Sequence, residues 1–337
     1  MALILYRSAL QARKPGSARH RSNTRATLKS IDVARVRTAA RALVLALLAG
    51  VTTAAMGAPP APQLMKWPDL LERSRPQPDV ELSYGADGMQ RVDLWRPAGA
   101  GPHPVVLMVH GGCWQTEIAD RRIMNWIADD LRKRGIAVWN IDYRGVDRTG
   151  GGYPGTFADA AAAADALRSH AAAHKLDLRR VVAVGHSAGG HLALWLAGRA
   201  RLPAGSPLRT RNPLPIGHVV SLGGLPDLEQ ARAEEQGCGA EVIDKLVGPP
   251  TLSSRDVYAD TSVPRLAPLG IGQVLVNGDK DRIIPTNFAG DYAAKMRARG
   301  DRVHVRIVPD QGHVELIAPE TPAWAAAVAE IEKALRR

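Results

Sequence analysis

Cysteine is nearly absent: Cys113 and Cys238 are the only two among 337 residues. They are too few for a disulfide framework and too far apart for a zinc ribbon or a CxxC redox site, so one disulfide and two free thiols both stay open. Long apolar runs are missing as well. Ala42 to Val51 falls well short of the roughly 20 residues that a bilayer-spanning helix needs, and no later stretch reaches that length. There is no HExxH, no clustered metal-ligand spacing and no phosphate-cradling glycine loop in context, so no metal or organic cofactor is implied. No internal repeat is present.

A surplus of basic charge is present, but only at one end. The formal net charge is +11, from 44 Lys/Arg against 33 Asp/Glu. Ten of those bases and a single acid, Asp32, lie in residues 1–60, which leaves 34 bases against 32 acids in the rest. The remainder is close to neutral and has no footprint for phosphate backbones, so nucleic acid is not an expected partner. A hydrophobic content of 45% is enough to bury a sizeable core.

The basic segment reads as an address. Arg35, Arg37 and Arg41 precede the apolar run, and the small residues of TTAAMGA follow before Pro59, which is the order of a secretory signal peptide. Cleavage is expected near Ala55 to Ala58, giving an exported protein, periplasmic or extracellular, with no stable membrane anchor. No cysteine lies in residues 1–58, so a lipid anchor on cysteine is excluded. The basic part is long for a bacterial leader, which also fits a translation start downstream of Met1, an organelle transit segment or a plain basic tail. Residues 59–78 are rich in proline and read as a linker.

From residue 79 to 337 the chain alternates short β-rich runs with helical stretches, the pattern of a mostly parallel sheet flanked by helices on both faces. Val80 to Tyr84 and Arg91 to Trp95 alternate apolar and polar residues, as a half-exposed antiparallel edge pair would. Val105 to Val109, Ala137 to Ile141, Val181 to Val184, His218 to Leu222, Val274 to Val276 and His304 to Val308 are continuous runs suited to central strands. Helices are expected over Ile118 to Arg134, Phe157 to His174, Ala188 to Arg201, Phe288 to Arg299 and Thr321 to Leu335. Leu202 to Gly217 and residues 228–270 read as insertions at strand ends.

The sharpest motif is Gly185-His186-Ser187-Ala188-Gly189-Gly190, between an apolar strand and a helix. A G-x-S-x-G in that setting makes a tight turn that exposes Ser187 at a helix N-terminus, where free N–H groups favour developing negative charge. The bland alternative is an N-cap serine. His110-Gly111-Gly112-Cys113-Trp114 follows an earlier strand. Its two glycines let the amides of Gly112 and Cys113 join that of Ala188 in an oxyanion hole. His110 is expected to hold the loop, and Trp114 either lines the pocket as a substrate-binding wall or fills the core.

A serine hydroxyl needs a base, and the base needs an orienting acid. His313, in Asp310-Gln311-Gly312-His313-Val314-Glu315, is the histidine on a late loop at a strand's C-terminal end, and we take it as the base. His186 and His191 flank the serine; His218 and His304 start strands; His170 and His174 lie near a helix end; His20 is in the leader. For the acid we take Asp281, in Asn277-Gly278-Asp279-Lys280-Asp281, with Asp279 and Asp227 as rivals whose ordinary work would be loop capping.

In that order, HGGCW, GHSAGGH, NGDKDRIIP and DQGHVE resemble the α/β-hydrolase superfamily from about Val80 to the C-terminus. HGG with a following Trp, and Asp142-Tyr143-Arg144 after the next strand, are similar to the esterase and kynurenine formamidase-like branch. The resemblance implies the α/β-hydrolase fold, with Ser187 as nucleophile, Asp281 as acid, His313 as base and the Gly112, Cys113 and Ala188 amides as oxyanion donors. It implies cleavage of a small carboxylic ester through an acyl-enzyme. An amidase or arylformamidase on the same machinery, or a catalytically silent binding protein on the same fold, are the alternatives. A short insertion at 228–270, where lipases often carry larger lids, and the lack of an oligopeptidase propeller disfavour long-chain lipase and peptidase activity. Cys113 could pair with Cys238 and tether that insertion to the oxyanion loop.

Overall fold

The computed structural model describes residues 63–251 and 255–336. The leader read over residues 1–58 lies outside them. Eight strands form one sheet: β1 (Val80–Ser83), β2 (Arg91–Trp95), β3 (His103–Val109), β4 (Ala137–Ile141), β5 (Leu176–His186), β6 (His218–Leu222), β7 (Gly272–Gly278) and β8 (Arg302–Val308). Their spatial order is β1-β2-β4-β3-β5-β6-β7-β8. The pairs β1 with β2 and β2 with β4 are antiparallel, and every other pair is parallel.

Burial on both faces explains why the inner strands are continuously apolar. In β3, Val105, Leu107 and Val109 point into one core with Phe157, Leu167, Trp195 and Tyr292. Val106 and Met108 point into the other, with Ile127, Leu131, Trp324 and Ile331. The helices that supply those residues are α2 (Asn125–Lys133) and α8 (Pro322–Leu335) on the second face. On the first they are α3 (Gly155–Ala171), α4 (Ala188–Gly198) and α7 (Asn287–Arg297).

Several boundaries differ from the sequence pattern for local reasons. The helix expected from Ile118 begins later, because the Asp120 carboxylate accepts the Arg122 amide at 2.9 Å and starts a 3-10 turn at Arg121 that runs into α2. Strand β2 is not half-exposed: it lies between β1 and β4, and even Asp93 is buried because it faces Arg121 at 2.9 Å. Strand β8, read as central, is an edge strand with Arg302, His304 and Arg306 exposed.

The stretch read as a linker departs most. It contains helix α1 (Trp67–Leu71), with Pro68 in its first turn, where a missing N–H costs no helical bond. Leu70 is fully buried in the second core. Downstream, the Ser74 and Pro76 carbonyls accept from Trp126 Nε1 at 3.1 Å and Asn125 Nδ2 at 2.9 Å. Between β6 and β7 the insertion forms α5 (Leu228–Ala233) and α6 (Ala240–Val247). Among the described residues no helix is long and apolar enough to cross a membrane.

Candidate active site

All the chemistry-bearing loops leave the C-terminal ends of neighbouring parallel strands, where ligands of open α/β sheets gather. Ser187 sits between β5 and α4 with φ +53° and ψ −124°, a strained conformation for a residue with a Cβ. Its amide donates to the Leu222 carbonyl at 2.8 Å, and its carbonyl accepts from Gly190 at 2.8 Å. The flanking glycines are needed for close approach. A Cβ on Gly185 would stand 2.0 Å from the Gly189 carbonyl oxygen, and one on Gly189 would stand 2.2 Å from that of Val109. Any side chain there would force the elbow open.

His313 and Asp281 are buried and paired. His313 Nδ1 lies 2.6 Å from Asp281 Oδ2, while Asp281 Oδ1 accepts the amides of Ile283 and Ile284 at 2.9 and 2.8 Å. With Nδ1 donating to the carboxylate, the proton-accepting nitrogen of the neutral ring is Nε2. Gly223, which follows the Leu222 carbonyl that holds Ser187, packs against this pair: a Cβ there would stand 3.2 Å from both Asp281 Oδ2 and His313 Nδ1. The structure therefore brings Ser187, Asp281 and His313 around one turn at the end of β6. Among the described residues no hydrogen bond uses the Ser187 hydroxyl, and such bonds often tighten only when substrate is bound.

The rival residues have other partners. Asp279 Oδ1 accepts the Asp310 amide at 2.6 Å and its carboxylate pairs with Lys280. Asp227 caps α5 and binds Lys295 at 2.5 Å. His186 Nε2 lies 3.1 Å from the His313 carbonyl oxygen, and burial, followed by the neighbouring His313, pushes its pKa well below the usual histidine range. His191 lies 2.8 Å from the Thr261 carbonyl, and burial brings it down to about 4. Both are therefore neutral donors at neutral pH.

On the other side of Ser187, the turn after β3 has three successive residues at positive φ: Gly112 at +98°, Cys113 at +51° and Trp114 at +53°. Among the described residues no hydrogen bond uses the amides of Gly112 or Cys113 as donor. Gly111 packs against Ser187, since a Cβ there would stand 2.9 Å from Ser187 Cβ. His110 secures the turn from below: its Nε2 is 2.8 Å from Asp142 Oδ1, its ring stacks on Tyr143 at 4.3 Å, and Tyr143 donates to the His110 carbonyl at 3.0 Å. Asp142 also binds Arg121 at 2.9 Å, and Arg121 reaches Glu81 at 2.5 Å.

Cys113 is bonded to Cys238, across 125 residues of sequence, so the insertion is tied to the turn that carries these amides. Trp114 is fully buried, edge-on to His191 at 5.4 Å. Of the two roles open to it, the structure shows core filling: it packs in the first core among fully buried residues. The Asp142–Arg121 network has no local sequence signal beyond Asp142-Tyr143-Arg144.

Fold and site together define the class: an α/β-hydrolase of the esterase and lipase kind. The chain belongs to the BD-FAE family, whose model matches residues 92–296, more than half of its length. It is similar to the monoacylglycerol lipase of Mycolicibacterium smegmatis, 26% identical over 266 residues covering 71% of this chain and 92% of that protein. A probable isoprenylcysteine alpha-carbonyl methylesterase of Arabidopsis thaliana is 33% identical over 113 residues. That match covers 33% of this chain and 23% of the plant protein, so the chain spans less than a quarter of that relative. Among solved structures, esterase B from Lactobacillus rhamnosis superposes with TM-score 0.63 at 18% identity, covering 78% of this chain and 87% of that one. A carbohydrate esterase from gut microbiota gives 0.61 at 17% identity, covering 77% and 98%. These two likenesses establish the fold.

Proposed function

We propose that the protein is an exported serine esterase that cleaves small carboxylic esters through an acyl-enzyme. The observation that carries this reading is the buried His313–Asp281 pair, at 2.6 Å, set against the same β6 turn that holds the strained Ser187. Ser187 Oγ attacks the ester carbonyl carbon as His313 Nε2 takes its proton. The Gly112, Cys113 and Ala188 amides receive the charge that forms on the carbonyl oxygen. His313 then protonates the leaving alcohol as the C–O bond breaks. Water, deprotonated by the same nitrogen, releases the carboxylic acid and restores the serine. Asp281 stabilises the imidazolium in both halves.

Export is supported by the leader pattern of residues 35–58 and by the Cys113–Cys238 bond, which suits an oxidising compartment. Sequencing the N-terminus of the exported protein tests it; an intact basic segment would overturn it.

The mechanism is tested by fluorophosphonate labelling and by turnover of p-nitrophenyl acetate against N-formylkynurenine. Labelling at Ser187, and loss of about 10⁴-fold or more in kcat in Ser187→Ala, are expected. A variant keeping about 1% of the turnover would remove Ser187 as nucleophile. A strong preference for the formamide would move the assignment to an arylformamidase.

A further inference from the structure

The base loop is held by groups that the proposed mechanism does not use. Glu315, two residues past His313, is 4% exposed. Its Oε2 accepts the amide of Gly312, the residue just before His313, at 3.0 Å. Its Oε1 accepts the amide of Met65, 250 residues away in sequence, at 2.6 Å. Two positions further on, half-buried Trp67 stands edge-on to both His186 and His313, each at 6.3 Å between ring centroids and within the range of a T-shaped contact. His186 in turn contacts the His313 carbonyl. The segment is fixed along its length by the buried Leu70, by Arg73 on Glu320 at 2.7 Å, and by the Ser74 and Pro76 carbonyls on α2.

We propose that the N-terminal strap, through the Met65 amide, the Trp67 ring and the Glu315 carboxylate between strap and loop, positions His313 for proton transfer. This rests on the esterase reading above. Asp281 fixes one edge of the imidazole, and the His186 ring stands 4.4 Å from it between centroids. The Glu315 carboxylate ties the backbone just before His313 to the strap, and the Trp67 edge closes a further side of the ring, so the strap narrows the pivot that Asp281 and His186 leave. A misplacement of about 1 Å in a catalytic group costs on the order of 10²-fold in rate, so contacts of this kind act on kcat rather than on substrate affinity. Met65, Trp67 and Glu315 are positioning residues, not catalytic ones. The strap would thus belong to the working enzyme, and any cleavage of the leader would fall before Met65.

The test uses the full chain. Met65→Pro deletes the N–H donor, Trp67→Ala deletes the edge contact, Trp67→Phe keeps an aromatic edge, and Glu315→Gln keeps one acceptor oxygen. With p-nitrophenyl acetate, Met65→Pro and Trp67→Ala are each expected to lower kcat about 10- to 100-fold with KM within about twofold. Trp67→Phe should recover most of the loss, and Glu315→Gln should fall about midway. All rates are taken per folded molecule, from thermal melts of each variant. A kcat within about twofold of the parent in the folded variants, a loss carried by KM, or no recovery in Trp67→Phe would overturn the proposal. If Ser187 labels and Ser187→Ala is dead while the strap variants match the parent, only this inference fails. If Ser187 does not label, the esterase reading itself fails.

Discussion

The two sides of the candidate site are held by different physics. The candidate oxyanion side is fastened by a covalent bond, Cys113 to Cys238, and by a chain of polar contacts from His110 through buried Asp142 and Arg121 to Glu81 at the surface. The base side has no covalent tie. Asp281 is oriented by two backbone amides, and the His313 loop is held by separate hydrogen bonds from Glu315, His186 and Asp279 and by aromatic contacts with Trp67 and His186. In the proposed mechanism, the amides that stand still through both halves of the reaction sit on the covalently tied side. The ring that takes and returns a proton sits on the side held by non-covalent, directional contacts.

The largest expected effect comes from the base side. Asp281→Asn should lower kcat by about 10⁴-fold with the fold intact, because the amide presents a donor to Nδ1 and favours the wrong tautomer. Steady-state kinetics with circular dichroism checks it; a loss of less than about tenfold would mean that Asp281 does not orient the base. On the rigid side, Cys238→Ser should cost about 2–5 kcal/mol in chemical denaturation, since it opens a loop spanning 125 residues of separation. It should also lower kcat, and an unchanged kcat would show that the turn keeps its positive φ values without the tether.

The histidines that straddle the two sides predict a pH dependence. His186 and His191 are depressed in the native state, His191 to about 4, so the unfolded chain binds more protons than the native one below the ordinary histidine pKa of about 6.5. Stability should therefore be full above pH 6.5 and fall on acidification from there towards pH 4. The slope is at most about 1.4 kcal/mol per pH unit for each histidine. Denaturation midpoints at pH 7.5 and 5 measure it, and His191→Gln should flatten the slope. The smallest effect is at the outer end of the strap. Arg73→Ala breaks a half-exposed ion pair with Glu320 and should change stability by less than about 1 kcal/mol.

What was legible in the sequence follows the same division. Ser187, His313 and Asp281 stand in short motifs whose chain order, together with the strand ends that present them, can be read residue by residue. The strand runs could be read too, because burial on both faces leaves an unbroken apolar signature. The strap could not. Its prolines dominate the composition, yet Pro68 sits in the first turn of α1, where proline is at home, and the partner of Met65 lies 250 residues away. Trp114 was open between wall and core, because a tryptophan suits both and the three successive positive φ values at residues 112–114 have no signature in the sequence. Strand β8 misled for a related reason: β-branched residues suit an edge as well as a centre, and only its pairing distinguishes the two.

The bridge between positions 113 and 238 also closes a ring of polypeptide that contains residue 187 but neither 281 nor 313. The stretch 209–212, exposed at every residue, lies inside that ring. A protease nick there would yield two fragments still joined through sulfur, with residue 187 unable to diffuse away from residues 281 and 313. In a medium full of peptidases, such a clipped molecule would run as two pieces on a reducing gel and as one without reductant.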